Sequence, residues 1–385
     1  MRILIAHSFY RIPGGEDRYV NQQMDLLGAH HDIELLSARN EDLEGSLRTA
    51  SRMAFSPGMR RSVEKTLERF RPDVVHLHNP YPSLGPAVHL SARRLRVPIV
   101  MTVHNYRLRC PNGYLFTEGS VCHRCVGGNT LNAVIHHCFP SRSQAAAYAA
   151  SVWAHRYVLK LHEKVDVFIA PSEFIRRQLL SWRLPADRIE LVRNFTDVAV
   201  EAESRPGSYG AYVGRLSSEK GLDLLLRGLK LAGDPAFVIV GDGPVRAELQ
   251  TLAESLGLRR TRFEGRVAAG EVVRLLRDAR FVTVPSRSND NAPLAALEAM
   301  AAGRPLLVAN IGGLPELVDD GAGLAFRPGD EHDLAGTLTR LMHDDRLCES
   351  LAESARRHAL EKFSPVRHRA RLEAVYRKAV MAAAG

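Results

Sequence analysis

Residues Phe281 to Ala309 read FVTVPSRSNDNAPLAALEAMAAGRPLLVA. An apolar run (Phe281–Pro285) meets a polar loop, then a helical segment from Pro293 to Ala302, then a second apolar run at Leu306–Ala309. Short strand, loop, helix, short strand is the grammar of a parallel βαβ unit. Just upstream, the same grammar predicts strands at Ala211–Val213 and Phe237–Val240 and helices at Gly221–Leu231 and Val245–Leu256. It also runs through the first half, with strands at Ile3–Ala6, Ile33–Ser37, Val74–His78, Ile99–His104, Val167–Ala170 and Ile189–Val192. Between the two series, Glu201–Ser208 (EAESRPGS) is polar, carries Pro and Gly and has no apolar period, which places a domain boundary there. The expected architecture is α/β, with two doubly wound, Rossmann-like domains. In such sheets ligands bind beyond the carboxyl ends of the strands, so the loops after strands are where chemistry is to be sought.

A length of 385 residues suits two domains, and 45% hydrophobic with 25% charged residues excludes disordered, collagen-like and coiled-coil chains. The net charge of +9 favours anionic partners, whether phosphorylated substrates, anionic membrane or nucleic acid. Basic residues between Arg48 and Arg71 mix with Met53, Phe55, Met59, Val63 and Leu67, as on a basic surface helix. The N-terminal strand is too short for a secretory signal, and the longest apolar run, Ala145–Ala154, is too short to span a membrane. A cytoplasmic protein is expected, at most peripheral to the inner face of a membrane.

Five stretches could carry chemistry. Gly14 and Gly15, after the first strand and before a helix, would let backbone amides approach a phosphate. Gly214-Arg215-Leu216-Ser217-Ser218-Glu219-Lys220-Gly221 follows the first strand of the second domain, with Ser217 or Ser218 as the expected helix cap. There a guanidinium fork and an ammonium on one loop could hold a diphosphate. In the opening stretch, Asp290 lies in the loop, the backbone of Asn291, Ala292, Pro293 and Leu294 marks the helix start, and Glu298 sits among Leu294, Leu297, Ala301 and Ala302. A carboxylate on that apolar surface needs a hydrogen-bonding partner, such as a ligand hydroxyl. His104 ends one strand of the first domain, and His76 and His78 end another on a shared face. Apart from the five, Gly241-Asp242-Gly243-Pro244 lines a nucleotide pocket or is simply a tight turn.

The fifth stretch is Cys110-x11-Cys122-x2-Cys125-x12-Cys138, with a hairpin turn at Thr117–Ser120. Four thiolates can close a tetrahedral structural zinc site, leaving no open position for substrate. Reduced unligated thiols, replacement of one ligand by His123, His136 or His137, and an iron–sulfur cluster are the alternatives. The following helix, Ser143–Leu161, presents Tyr148, Val152, Trp153 and Tyr157 either to a lipid surface or to the core.

Taken in order, these residues resemble the retaining glycosyltransferases of family 4, which have the GT-B fold. The most specific segment is Asp290 to Met300, followed by Ala301-Ala302-Gly303-Arg304-Pro305 and Ile311-Gly312-Gly313-Leu314-Pro315-Glu316, similar to the family's Glu-x7-Glu region and its glycine-rich continuation. The resemblance implies two domains facing across a cleft: residues 1–200 on the acceptor side with a cysteine-rich insertion at 105–140, residues 201–364 binding the nucleotide sugar, and a helix at 365–385 returning to the first domain. It implies transfer of a sugar from a UDP- or GDP-sugar to an acceptor sugar, lipid-linked sugar or small molecule, with retention and without a catalytic metal. Bacterial polysaccharide, glycolipid or glycoconjugate assembly is the implied setting, with no nucleic acid partner. By the same resemblance Arg215 and Lys220 hold the diphosphate, Glu298 the ribose hydroxyls, Asp290 and the amides of Asn291–Leu294 the donor sugar and phosphate, and His104 the sugar near the reacting centre. Gly14, Gly15, Gly214 and Gly241 line the donor. Two positions depart from the family: Asp290 stands where Glu is usual, and Asn194-Phe195 where Asn-Gly is common.

Two other readings use the same residues. A nucleotide-sugar epimerase or phosphorylase would share the donor site, and an epimerase needs no acceptor. A non-catalytic binding module would engage a partner through the basic surface and zinc without releasing nucleotide.

Overall fold

The computed structural model describes residues 1–11, 14–39, 56–197 and 206–384. The chain forms two compact units: Met1–Glu118 with Cys122–Val192 and His368–Gly385, and Gly119–Val121 with Arg193–Arg367. Arg48, Arg52, Met53 and Phe55 of the basic stretch, and most of the expected boundary at 201–208, lie outside the described residues.

The first unit is built on a six-stranded parallel sheet of β1 (Arg2–Phe9), β2 (Asp32–Arg39), β3 (Val74–Leu77), β4 (Ile99–Thr102), β7 (Val167–Ala170) and β8 (Ile189–Leu191), in the order β2-β1-β3-β4-β7-β8. A two-residue ladder, β5 (Phe116–Thr117) with β6 (Ser120–Val121), forms at the expected hairpin. Side chains alternate between the faces of a strand. Leu4, Ala6, Val75, Leu77, Met101 and Phe168 therefore pack with Val63 and Leu67 of α2 (Pro57–Phe70), Val88 of α3 (Ala87–Arg94) and Ile175 and Leu179 of α6 (Glu173–Ser181). Ile3, Ile5, Val74, Val100, Val167 and Ile169 pack on the other face with Val20 and Leu27 of α1 (Gly15–Gly28) and Leu372, Val375, Tyr376 and Ala379 of the C-terminal helix (Pro365–Ala384). Between β6 and β7 come α4 (Asn132–Ile135) and α5 (Arg142–Tyr157).

The second unit has β9 (Gly210–Val213), β10 (Phe237–Val240), β11 (Thr261–Gly265), β12 (Phe281–Val284), β13 (Leu306–Ala309) and β14 (Gly323–Phe326), parallel in the order β11-β10-β9-β12-β13-β14. Its connections include α7 (Leu222–Leu231), α8 (Arg246–Ser255), α9 (Ala269–Asp278), α10 (Leu294–Ala301) and α11 (Pro315–Val318). Helices α12 (Glu331–His343) and α13 (Asp345–Lys362) follow β14, and the C-terminal helix is α14.

Candidate functional site

In the second sheet the chain runs outward from β9 through β10 to β11 and, in the other direction, from β12 through β13 to β14. β9 and β12 are neighbours, so the loops that follow them part at the topological switch point, where α/β sheets bind ligands. Both loops are the ones the sequence singles out.

Their backbones are stitched together. Arg287 N donates to Glu219 O at 2.9 Å, and the Arg287 guanidinium pairs with Asp223 at 2.6 Å. Gly221, at φ +69°, precedes α7, and a Cβ there would lie 2.1 Å from Pro285 O. Only glycine fits this contact. It also displaces the expected cap: Ser217 heads a short 3₁₀ turn without a side-chain cap bond, and its hydroxyl bonds Glu219 instead.

Across this seam Lys220 Nζ donates to both carboxylate oxygens of Asp290, at 2.8 and 2.7 Å. Ser286 Oγ donates to the same carboxylate. The Asp290 carbonyl accepts from Gly313 N at 2.7 Å, and a Cβ on Gly312 (φ +62°) would lie 2.5 Å from that oxygen. The glycine pair after β13 therefore sets the Asp290 loop. Tyr212 OH donates to Arg215 O at 2.8 Å; burial, with Asp290 and Glu219 nearby, pushes its phenol well up and keeps the proton on it.

Lys220 and Asp290 are thus brought into contact, Glu298 is buried inside α10 at 1% exposure, and the Arg215 side chain is exposed. Pro293 occupies the N-cap of α10 and no side chain caps that end. The first-turn amides of a helix carry partial positive charge, which suits an anion. Ala292 and Leu294 are buried, and Asn194 Nδ2 donates to Ala292 O at 3.2 Å. Gly214 N and Gly241 N bond the Val240 and Gly265 carbonyls, which holds the two glycine turns beside β10.

In the first unit a second set of polar groups gathers at the carboxyl ends of β1, β3 and β4. His104 Nε2 lies 2.8 Å from His78 Nδ1, and their rings stack at 5.1 Å. Burial, with His7 nearby, pushes the His104 imidazole down to about 3, so it is uncharged at neutral pH. His76 shares the His78 face as expected but is a structural group, 2.7 Å from Tyr376 OH and 2.8 Å from Thr102 Oγ1. Beside them lies a pair that sequence reasoning missed. His7 Nε2 is 2.8 Å from Asp17 Oδ1, and Asp17 also accepts from Tyr10 N at 3.3 Å and Gly14 N at 3.1 Å. With Asp17 serving as acceptor, the His7 proton belongs on Nε2. The available signal was a histidine at a strand tip with an acid just past a Gly-Gly turn. A Cβ on Gly14 or Gly15 would meet open space, so neither glycine is forced by packing.

The four cysteines of the insertion line one cavity of about 10 Å³, and all are free thiols. Cys110 Sγ donates to Asn112 Oδ1 at 3.0 Å, and backbone hydrogen bonds from Leu115, Gly113 and Asn112 oppose the effect of burial on its thiol. Burial and the other three cysteines push Cys125 up to about 12. Among the described residues no group of three or more His, Cys, Asp or Glu is placed to hold a metal ion. His136 bonds Glu118 at 3.2 Å. On α5, Tyr148 and Val152 are buried while Trp153 and Tyr157 are 48% and 44% exposed. No helix among the described residues is long and apolar enough to cross a membrane.

Residues 13–200 match the family Glycosyltransferase Family 4, and residues 200–358 match Glycosyl transferases group 1. The chain is a glycosyltransferase of the GT-B fold. This glycosyltransferase is 27% identical over 372 residues to glycogen synthase of Mycobacterium tuberculosis, covering 92% of this chain and 81% of that one. It is 40% identical over 166 residues to D-inositol 3-phosphate glycosyltransferase of Corynebacterium jeikeium, covering 40% of this chain and 39% of that one. Across the curated relatives with the broadest matches, the aligned stretch spans 57% to 81% of their length. Its fold is similar to that of Anabaena HepE, solved with UDP and glucose, at TM-score 0.68 and 19% identity over 97% of this chain and 98% of that one.

Proposed function

We propose that the enzyme is a retaining, hexosyl-type glycosyltransferase whose donor is a nucleoside diphosphate sugar, with UDP as the first nucleotide to test. The observation that carries this reading is the Lys220–Asp290 contact at the β9/β12 switch point, beside the uncapped start of α10. UDP is favoured over GDP because HepE was solved with UDP. In this reading Lys220 and Arg215 hold the diphosphate, Glu298 the ribose, Asp290 with the backbone amides of Asn291, Ala292 and Leu294 the sugar and phosphate, and His104 the sugar near its anomeric carbon. Departure of the diphosphate puts negative charge on the leaving oxygen, which cations and helix-start amides stabilise more in the transition state than in the ground state. About 2 kcal/mol from each cation corresponds to roughly a thirtyfold rate factor apiece. The chain contains no Asp-x-Asp to bind a catalytic divalent ion, which supports a cation-assisted, metal-independent departure.

The test is a thermal-shift and turnover screen of UDP- and GDP-sugars, with the anomeric configuration of the product read by NMR. UDP-sugar binding with retained configuration and no loss of rate in chelator supports the reading. Inverted product, or no response to any nucleotide sugar, refutes it. A structural zinc on Cys110, Cys122, Cys125 and Cys138 and a lipid-linked acceptor in bacterial surface polysaccharide or glycolipid assembly belong to the same proposal. The exposed Trp153 and Tyr157, with Arg156 over the Tyr157 ring, would serve a peripheral membrane contact.

A further inference from the structure

The flank of the first sheet holds a cavity of about 30 Å³ that the glycosyltransferase reading does not use. Its wall runs from Met101 of β4 and His89 of α3 to His155 and Arg156 of α5. It reaches the turn Leu161–Lys164, just before the amino end of β7, and Trp182, just past the end of α6. His7, His78 and His104, at the opposite ends of their strands, are not among its lining residues.

The lining is one-sided in charge. Arg107, Arg109, Arg156, His89, His155 and His162 contribute to it, and among the described residues no aspartate or glutamate does. Arg107 is answered elsewhere, by the phenols of Tyr10, Tyr148 and Tyr114 and by Glu16. Arg109 and Arg156 are not: their hydrogen bonds go to backbone carbonyls, and among the described residues neither forms an ion pair. Glu163, next to His162 in sequence, is exposed and lies 3.7 Å from Lys160. Arg109 is only 7% exposed, and burying a cation without an opposite charge is costly. Arg156 adds to burial in pushing the Arg109 guanidinium down to about 10.

Which donors are spent decides what anion fits. Arg109 Nη2 donates to Trp182 O at 2.7 Å, and the guanidinium lies 5.9 Å from the Trp182 ring centroid. Arg156 Nη1 donates to Val126 O at 3.0 Å, with its guanidinium 4.9 Å from the Tyr157 ring centroid. Each anchor fixes its guanidinium and leaves Nε and one terminal nitrogen unspent. His89, 2% exposed, adds a ring whose Nδ1 has no hydrogen-bond partner among the described residues. Buried polar groups are nearly always satisfied in native proteins, so an orphan in the wall of a cavity asks for the group that completes it. Two fixed guanidiniums and an imidazole offer N–H groups from more directions than the two coplanar oxygens of a carboxylate can use. The tetrahedral oxygens of a phosphate can use them, and two positive charges match a phosphate dianion. A volume of about 30 Å³ holds roughly two or three waters, which admits a small anion and excludes a sugar ring or a nucleotide base.

We infer that this cavity is a phosphate-binding site, with Arg109 and Arg156 as its cationic arms and His89 as a third donor, and that its ligand is a phosphate group, free or at the end of a larger molecule. All of its residues belong to the first unit, and it does not rest on the donor assignment.

Trp182 reports on the site directly, because the chain has two tryptophans and the other, Trp153, is exposed. In full-length Trp153→Phe protein, Trp182 emission is titrated with inorganic phosphate, hexyl phosphate and acetate at constant ionic strength, and UDP binding is measured separately by calorimetry. Phosphate is expected to change the emission with saturation at millimolar concentration or below. Arg109→Gln and Arg156→Gln are each expected to weaken it roughly tenfold while UDP affinity holds, and Lys220→Met to leave it unchanged. Arg156 is only half-buried, so Arg156→Gln decides the matter if Arg109→Gln fails to fold. Tighter binding of hexyl phosphate than of inorganic phosphate assigns the group to an amphiphile, and equal or weaker binding assigns it to free phosphate; either supports the site. The proposal is overturned if phosphate leaves Trp182 emission unchanged, if a folded arginine variant responds as the parent does, if Lys220→Met abolishes the response, or if acetate binds as tightly. Phosphate binding without UDP binding would sink the donor assignment and leave this site standing; UDP binding without phosphate binding would do the reverse.

Discussion

The ammonium of Lys220 reaches both carboxylate oxygens of Asp290, seventy residues along the chain, at 2.8 and 2.7 Å. Their side chains are only 23% and 19% exposed, so the pair is partly shielded from solvent and stronger than a surface ion pair. A diphosphate entering this loop must draw Lys220 away from Asp290 or share it. Asp290→Asn is therefore expected to tighten binding of bare UDP several-fold while lowering the rate of sugar transfer, and Lys220→Met to weaken UDP roughly tenfold. Calorimetric titration of both variants checks this, and unchanged UDP affinity in Lys220→Met counts against the assignment.

Gly221 gives a prediction on stability. Alanine there must adopt φ +69° and place its Cβ 2.1 Å from Pro285 O, so the seam between the loops after β9 and β12 has to open. Gly221→Ala is expected to cost about 2 kcal/mol or more and to weaken nucleotide binding with it. Urea unfolding monitored on wild type and variant measures the first, and an unchanged midpoint would show that the seam yields freely.

How far the sequence reveals this protein depends on what each feature needs. Buried strands such as Phe237–Val240 and Phe281–Val284 are apolar throughout and legible from composition. β11, Thr261–Gly265, alternates with exposed charged residues at the sheet edge and passes unnoticed, and β14 is a four-residue edge strand. The loops after β9 and β12 stand out because glycine and charge cluster there. That Lys220 grips Asp290 depends on which strands are neighbours, which no local pattern encodes. The His7–Asp17 pair hides because an acid ten residues after a histidine means nothing until Tyr10 N and Gly14 N are brought to the same carboxylate, and Arg107 belongs to an irregular insertion with no period to read.

Acid should destabilise this protein before its carboxylates protonate. His89 and His104 are pushed down to about 3, and His76 and His78 well below the ordinary value, in each case first by burial. Between about pH 6.5 and pH 3 the unfolded chain binds protons at these sites and the folded chain does not. Their contribution is fully present above pH 6.5 and is lost as pH falls toward 3, by up to about 1.4 kcal/mol per pH unit for each histidine. Thermal unfolding between pH 7.5 and about pH 4.5 should show a steeply falling Tm. A flat profile above pH 5 would mean that the cluster takes up protons in the folded state.

The cysteine insertion separates four cysteines from the fifth. Cys110, Cys122, Cys125 and Cys138 line one cavity of about 10 Å³, the size of a single water or ion, whereas Cys348 is buried in the other unit and bonds Leu341 O at 3.0 Å. If the four hold zinc, protein purified without chelator carries it in roughly equimolar amount, and Cys125→Ser loses it while Cys348→Ser does not. Loss of the metal should lower Tm by roughly 4–8 °C, since an irregular segment with two-residue strands has little else to fix its shape. Elemental analysis and thermal unfolding of the two variants distinguish the cases. A metal-free wild type whose Tm ignores both chelator and Cys125→Ser would leave the insertion held by thiol packing and by bonds such as Cys138 Sγ to Thr117 Oγ1 at 3.6 Å.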